Sequence, residues 1–345
     1  MLTWSLTPLV LPLRYTWKIA RNASTSKTNL LLKVQDTAAT AAGWGEAAPN
    51  IRYGETPEGL QEEFAQLQAA GLGQCNTLEE LTDFLTAHAP AHALRFALES
   101  AFVHREAVLA GHPVAQWLGL SQPAPAVPTA VTLPIMEPGA VAGFLQQQGY
   151  QRFPLLKVKV NREGAVELLR EVTRLLPDHL LIIDGNEAWT DADSLRQSWE
   201  QIRALPGLRV RLLEQPLPAA CAEDYRALKG QLGCPVFADE SVTDEADFAE
   251  IARQFDGVNM KLMKAGGYLN GLRILRETRI HGLETMVGCM VETSLGIWSA
   301  LQVSTLADVC DLDGFLVVQE EPFGLVAEEQ GYLVPRRPDW PSLLL

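Results

Sequence analysis

Polar residues recur along the second half of the chain at a nearly constant interval. Lys159 to Asp184 is 25 residues, Asp184 to Glu214 is 30, Glu214 to Asp239 is 25 and Asp239 to Lys264 is 25. Steps of 25 and 24 then reach Cys289 and Asp313. Brought together, Asp184, Glu214 and Asp239 would repel and raise one another's pKa unless a cation neutralised them. An all-oxygen set with no His or Cys nearby favours Mg2+, one per chain, over zinc or copper. Lys157 and Lys159, two apart on a strand, point to one face, and burying both requires anions. Lys264 is read as ending the sixth strand, across a barrel from the second; Lys261 can face inward too, but Lys264 is the better placed. Two lysines on opposite sides of a metal-bound substrate can remove and return a proton on opposite faces of one carbon. Mutual repulsion, the metal's charge and partial burial lower a lysine pKa toward neutrality, as a base requires.

These side chains need a scaffold that delivers one from each repeat to a common place. Short β-rich runs begin near Ala130, Leu155, Leu180, Val210, Pro235, Gly257, Glu284 and Ala307, and helical patterns lie between most of them. Eight strands over about 190 residues match a closed parallel barrel, whose active sites assemble at the C-terminal rim of the strands. An open dinucleotide-binding sheet would carry GxGxxG after its first strand, and none occurs. Before residue 120 the order is strands (Leu2 to Val10, Asn29 to Val34, Gly43 to Glu46) and then helices, an α+β unit. SQPAPAVPTA, residues 121 to 130, reads as a linker. The predicted fold class is thus α/β: a modified (β/α)8 barrel over residues 123–315 with an α+β cap over residues 1–122. The stretch after Asp313 is too long for one last helix, so about 316–345 is assigned to the cap.

Acidic residues number 42 and basic ones 28, a net charge of −14. That balance argues against a nucleic-acid partner or an anionic membrane surface, which need a basic face. The five cysteines are far apart without a CxxC pair, and no HExxH occurs, so neither a disulfide framework nor structural zinc is expected. No signal peptide and no run of eighteen apolar residues are found, which reads as a cytoplasmic protein. A homo-oligomer is compatible with the sequence.

Lys157-Val158-Lys159, Asp184-Gly185-Asn186, Glu214-Gln215-Pro216, Asp239-Glu240-Ser241 and Lys264-Ala265-Gly266-Gly267 together resemble the muconate-lactonizing-enzyme subgroup of the enolase superfamily. The resemblance extends to the GWGEA turn (Gly43 to Ala47) and QEEPFG (Gln319 to Gly324), so it covers nearly the whole chain. It implies abstraction of the proton α to a metal-bound carboxylate, giving an enolate. Such a proton is far too weak an acid for a lysine alone; a cation, with Lys157 beside it, must stabilise the enolate more than the substrate. Asp311-Leu312-Asp313 has the DxD spacing of dipeptide epimerases in this subgroup, where the two aspartates suit the free ammonium of a dipeptide. The expected reaction is therefore a two-base 1,1-proton transfer at the Cα of a dipeptide's C-terminal residue. N-acylamino-acid racemisation, o-succinylbenzoate synthesis and cycloisomerisation are alternatives whose substrates lack that ammonium. A barrel that only binds a small molecule would not need opposed lysines beside a metal triad.

Thr132, Met290 and Glu292 are further candidates for the pocket lining. In the Ala-Glu epimerases an arginine in the mobile N-terminal loop is expected to meet the glutamate side chain. Aligned from Pro12-Leu13, that loop reads WKIARNAST here, which places Asn22 at the arginine's position and Arg21 one residue earlier. Arg52, in IRYGE, is another candidate. With neither arginine turned inward, the second residue of the dipeptide is expected not to be Glu, and Trp17 and Ile51 suit an apolar side chain.

Overall fold

The computed structural model describes residues 1–19, 22–36 and 41–336. The N-terminal unit is an antiparallel sheet of β1 (Leu2–Ile19), β2 (Asn22–Asp36) and β3 (Ala42–Ala47), in that order. Both long strands run well past the expected ends. Leu30, Leu32 and Val34 alternate on β2 and are fully buried, with α1 (Pro57–Ala70) and α3 (His92–Ala110) against the strand and α2 (Leu78–His88) packed on α3. Thr56 caps α1 ahead of Pro57, and Thr77 with Glu80 forms a capping box on α2. The glycines of GWGEA have a steric reason: a Cβ on Gly43 or Gly45 would lie 1.9 or 2.1 Å from the carbonyl oxygens of Ala101 or Ala97. Only glycine lets α3 sit directly on β3.

After α4 (Val114–Trp117) and the short β4 (Val127–Pro128), eight strands form one parallel sheet in chain order. They are β5 (Ala130–Leu133), β6 (Leu155–Lys159), β7 (Leu180–Asp184), β8 (Arg209–Glu214), β9 (Val236–Ala238), β10 (Gly257–Lys261), β11 (Glu284–Gly288) and β12 (Val309–Asp311). Helices follow most strands: α5 (Pro138–Gln148), α6 (Ala165–Leu175), α7 (Ala192–Arg203), α8 (Ala222–Leu228), α9 (Phe248–Gln254), α10 (Leu262–Ala265), α11 (Tyr268–Ile280) and α12 (Ser294–Leu301). The seam between β12 and β5 is bridged by side chains. Thr129 Oγ1 accepts Leu312 N at 2.9 Å, and Asp313 Oδ2 accepts Thr132 N at 2.6 Å. The result is the expected near-closed (β/α)8 barrel with a separate antiparallel cap.

The interior is layered. Ala130, Leu155, Ile182, Leu212, Phe237, Met286 and Val309 make an apolar floor inside the strands. Gly257 belongs to the same layer, since a Cβ there would lie 2.3 Å from the Phe237 ring. Strand alternation puts the residues two positions on above that floor: Thr132, Lys157, Asp184, Glu214, Asp239, Asn259, Gly288 and Asp311.

The tail divides between two places. Arg14 N donates to Val317 O and Gln319 N to Pro12 O, both within 2.9 Å, so residues 317–319 pair with β1 of the cap. Hairpin β13 (Val326–Glu329) and β14 (Tyr332–Pro335) instead pairs with β4, ahead of the first barrel strand. Residues 337–345 lie outside the described residues. Among the described residues no helix is long and apolar enough to cross a membrane.

Candidate active site

The rim of the barrel and the cap enclose a cavity of about 330 Å³. On its floor, Lys157 Nζ lies 3.0 Å from Asp184 Oδ2, 2.8 Å from Glu214 Oε2 and 2.8 Å from Asp311 Oδ2. Lys159, one pleat higher on β6, donates to Asp184 Oδ2 at 2.7 Å and Asn186 Oδ1 at 2.9 Å. Lys261 Nζ donates to Asp239 Oδ2 at 2.7 Å. All of these side chains are buried or nearly so.

Lys264 departs from its expected place. Strand β10 ends at Lys261, and Lys264 sits on the following helix α10. Its ammonium donates to Asp239 Oδ1 at 2.8 Å and to the carbonyls of Asp239 and Asn259, and it does not line the cavity. Alternation from Gly257 explains this: Asn259 and Lys261 face inward, and Lys264, on the helix that follows, reaches Asp239 without lining the cavity. Strand β6 and strand β10 are four apart in a ring of eight, so Lys159 and Lys261 face each other across the cavity.

The turns that follow the acidic strand ends are conformationally demanding. Asn186, Glu187 and Gln215 adopt φ of 42°, 66° and 34°, a left-handed region that non-glycine residues seldom occupy. Gln215 holds its turn in place through its fully buried amide: Oε1 accepts Asp239 N and Ser241 N at 2.8 and 3.1 Å, while Nε2 donates to Ser241 Oγ at 2.7 Å. The EQP and DES turns are thus one unit.

Charge follows the geometry. Burial works against the ionised form of Asp184, but Lys157 and Lys159 outweigh it and hold the carboxyl below its usual range. Burial likewise opposes ionisation of Asp239, and Lys261 and Lys264 overcome it. Glu214 is pushed up to about 7 by burial and by Asp184 and Asp239. Burial lowers Lys261, yet Asp239 outweighs it and keeps the ammonium above its usual range, so the expected lowering toward neutrality is not present in this arrangement. Among the described residues, no three His, Cys, Asp or Glu side chains form a ready-made cage; Lys157 Nζ stands where three carboxylates meet. A buried all-oxygen set in which one carboxyl is driven up by its neighbours nevertheless suits a hard divalent cation.

Asp311 and Asp313 are both buried and line the cavity. Burial and Asp311 push Asp313 up to about 6. Thr132 lines the cavity, and both its backbone N–H and its side chain bond Asp313. Met290 lines the cavity, and its sulfur accepts Asn50 Nδ2 at 3.5 Å. Glu292 does not reach it: Oε1 accepts Met290 N at 2.7 Å, and the carboxyl is buried near Glu46. Arg52 lies at the mouth, 3.1 Å from Glu187 Oε1. Arg21 lies outside the described residues, as does the side chain of Asn22. Trp17 and Ile51 line the cap side as expected.

Sequence reasoning passed over Lys27, which lines the cavity from β2. The period-two relation to Asn29 was the available signal, because Asn29 Nδ2 bonds Val291 O at 3.0 Å and so marks the face turned to the barrel. The flanking motifs meet at helix α12. Glu46 of GWGEA accepts Thr293 N and Gly296 N, and Glu321 of QEEPFG accepts Ser294 N. Carboxylates at a helix N-terminus satisfy unpaired N–H groups, which here ties cap and tail to the barrel.

The enolase C-terminal domain-like family model matches residues 140–328. An L-Ala-D/L-amino acid epimerase of Pedosphaera parvula is 30% identical over 331 residues, 94% of either chain. An enolase family member from Agrobacterium tumefaciens, solved with sodium and L-Ala-L-Glu, is 30% identical, with a TM-score of 0.84 over 98% of this chain and 99% of that one. A dipeptide epimerase from Enterococcus faecalis, solved with Mg and L-Leu-L-Tyr, is 26% identical, with a TM-score of 0.85 over 96% of each chain. By this match across its length, and by the lysines and carboxylates gathered at its barrel rim, the chain belongs to the enolase superfamily, in the enolase C-terminal domain-like family.

Proposed function

We propose that the protein is a Mg2+-dependent dipeptide epimerase. The observation that carries this reading is the pair Lys159 and Lys261, on opposite strands of the barrel and lining one cavity with Asp239, Asp311 and Asp313. Asp184, Glu214 and Asp239 are the residues that would hold Mg2+, and the relatives solved with Mg and dipeptides support that choice. The cation supplies positive charge at the substrate carboxylate, which makes the adjacent Cα–H more acidic.

The chain's own groups do the rest. Lys157, central among Asp184, Glu214 and Asp311, offers its ammonium to the same carboxylate and stabilises negative charge as it develops there. Asp311 and Asp313 hold the α-ammonium of the first residue. That fixes the peptide so that the Cα of the second residue lies between the two lysines. Lys159 takes the proton from one face and Lys261 returns one to the other, or the reverse. Lys261 replaces Lys264 in this role because Lys261 lines the cavity and Lys264 does not. Asp239 is the group that keeps the Lys261 ammonium protonated, so a cation held by Asp239 would weaken that support and favour the free amine a base needs.

The five free cysteines accord with a reducing, cytoplasmic setting. The relatives' names range from L-Ala-D/L-Glu to hydrophobic dipeptides, so side-chain preference rests on this chain's own pocket. The test is a mixed dipeptide library incubated with the protein and Mg2+ in D2O, followed by mass spectrometry. Solvent deuterium at the Cα of the C-terminal residue is expected, and no incorporation in any dipeptide would sink the reading.

A further inference from the structure

Nearly every cation that lines the cavity is matched by an anion of the protein. Lys157 and Lys159 pair with Asp184, Lys261 with Asp239, and Arg52 with Glu187. Lys27 is the exception. It lines the same cavity from β2 and makes no ion pair or hydrogen bond to a described residue. Burial alone acts on its ammonium, and lowers it. The opposite sign has its own exception in Asp313, whose carboxylate accepts only from Thr132 among the described residues. A partly desolvated charge without a counter-ion is unfavourable until a ligand supplies one.

We infer that Lys27 is a specificity-determining residue that holds a side-chain carboxylate of the dipeptide. The inference rests on the epimerase reading. A dipeptide carries one ammonium and one terminal carboxylate, and Asp311 with Asp313 takes the first while Lys157, with the cation that Asp184, Glu214 and Asp239 would hold, takes the second. The anion left for Lys27 is therefore on a side chain, either of the first residue or of the second. An isosteric amide cannot neutralise a partly desolvated ammonium, so the site discriminates acid from amide by charge rather than by shape. The absence of an arginine at position 22 then does not exclude an acidic substrate, because the positive charge comes from the strand and not from the loop.

The experiment measures kcat/KM by α-deuterium exchange, and affinity by calorimetry, with Mg2+ present. Two pairs are compared: L-Ala-L-Glu with L-Ala-L-Gln, and L-Glu-L-Ala with L-Gln-L-Ala. In one pair the acid is expected to exceed the amide by about tenfold or more, mostly in KM, and which pair it is assigns the position. Lys27→Met should bring that ratio close to unity, while Lys27→Arg should keep it. Ratios near unity in both pairs for the wild type, or a ratio that Lys27→Met leaves unchanged, would overturn the assignment. Absence of exchange in every dipeptide, amides included, overturns the epimerase reading instead. The calorimetric acid-to-amide ratios of wild type and Lys27→Met then decide the role of Lys27 by the same criteria.

Discussion

Gln215 Oε1 accepts the backbone N–H of Asp239 at 2.8 Å, so the turn after one acidic strand end is fixed by the start of the next. Replacing Gln215 by Met removes this bond and those to Ser241, and leaves buried N–H groups unsatisfied. Mg2+ affinity should fall about 10- to 100-fold, as for other groups that orient metal ligands. The melting temperature should fall as well, by the equivalent of about 1–3 kcal/mol. Calorimetric titration of Mg2+ and a thermal melt check both; unchanged affinity would mean that the turn holds itself.

The two lysines after β10 are separated by substitution. Lys261→Met should abolish epimerisation, because it removes a group that faces the cavity. Lys264→Met should act mainly on Asp239, which loses a donor at 2.8 Å, and so weaken Mg2+ binding more than turnover at saturating Mg2+. Assays of both variants across a Mg2+ series check this. Full activity in Lys261→Met would return the role to Lys264.

How much of this was legible in the chain follows from the layering. Each acidic strand end stands two residues after an apolar floor residue, Ile182 before Asp184, Leu212 before Glu214 and Phe237 before Asp239. Strand alternation therefore exposes the site as a regular interval. The sixth strand hides its register because its floor residue is Gly257, which yields space to the Phe237 ring and carries no hydrophobic signal. The 25-residue interval from Asp239 therefore points to Lys264, and nothing in the apolar pattern redirects it to Lys261. Glu292 follows the seventh strand in a loop, where alternation no longer says which way a side chain turns. The cap strands run past their apolar segments because Ser24 to Thr28, paired with β1 alone, has the Thr, Ser and Lys composition of a loop.

Asp313→Asn should lower kcat/KM for dipeptides by about tenfold to a hundredfold, because a buried charge-assisted contact to the substrate ammonium is lost. N-acetylation of the dipeptide removes the same ammonium and should cost the wild type a similar factor. The two losses should not add, since they delete one interaction from its two sides. Additive losses, measured in the four combinations, would remove Asp313 from ammonium binding.

Glu292 gives a prediction for pH. Burial and then Glu46 push its carboxyl from 4.5 up to about 8. Between those values the folded protein holds a proton at this site that the unfolded chain has released. The stabilisation is therefore complete below the ordinary carboxylate pKa and is lost as pH rises through about 8. Glu292→Gln keeps an acceptor for Met290 N and removes the titration. The fall in stability between about pH 5 and about pH 8 should shrink in the variant, by something on the order of 3 kcal/mol. Denaturant melts at the two pH values check it, and equal slopes for wild type and variant would contradict it.

The two-base arrangement itself is tested most directly by following α-proton exchange in D2O from each epimer of one turned-over dipeptide, L,L and L,D separately, with Lys159→Met and Lys261→Met. Neither variant should interconvert the epimers. Each should still exchange the α-proton of one epimer only, and the two variants should retain opposite ones, because each keeps the lysine on one face of the carbon. Exchange of both epimers by Lys261→Met, or retention of the same epimer by both variants, would contradict the account.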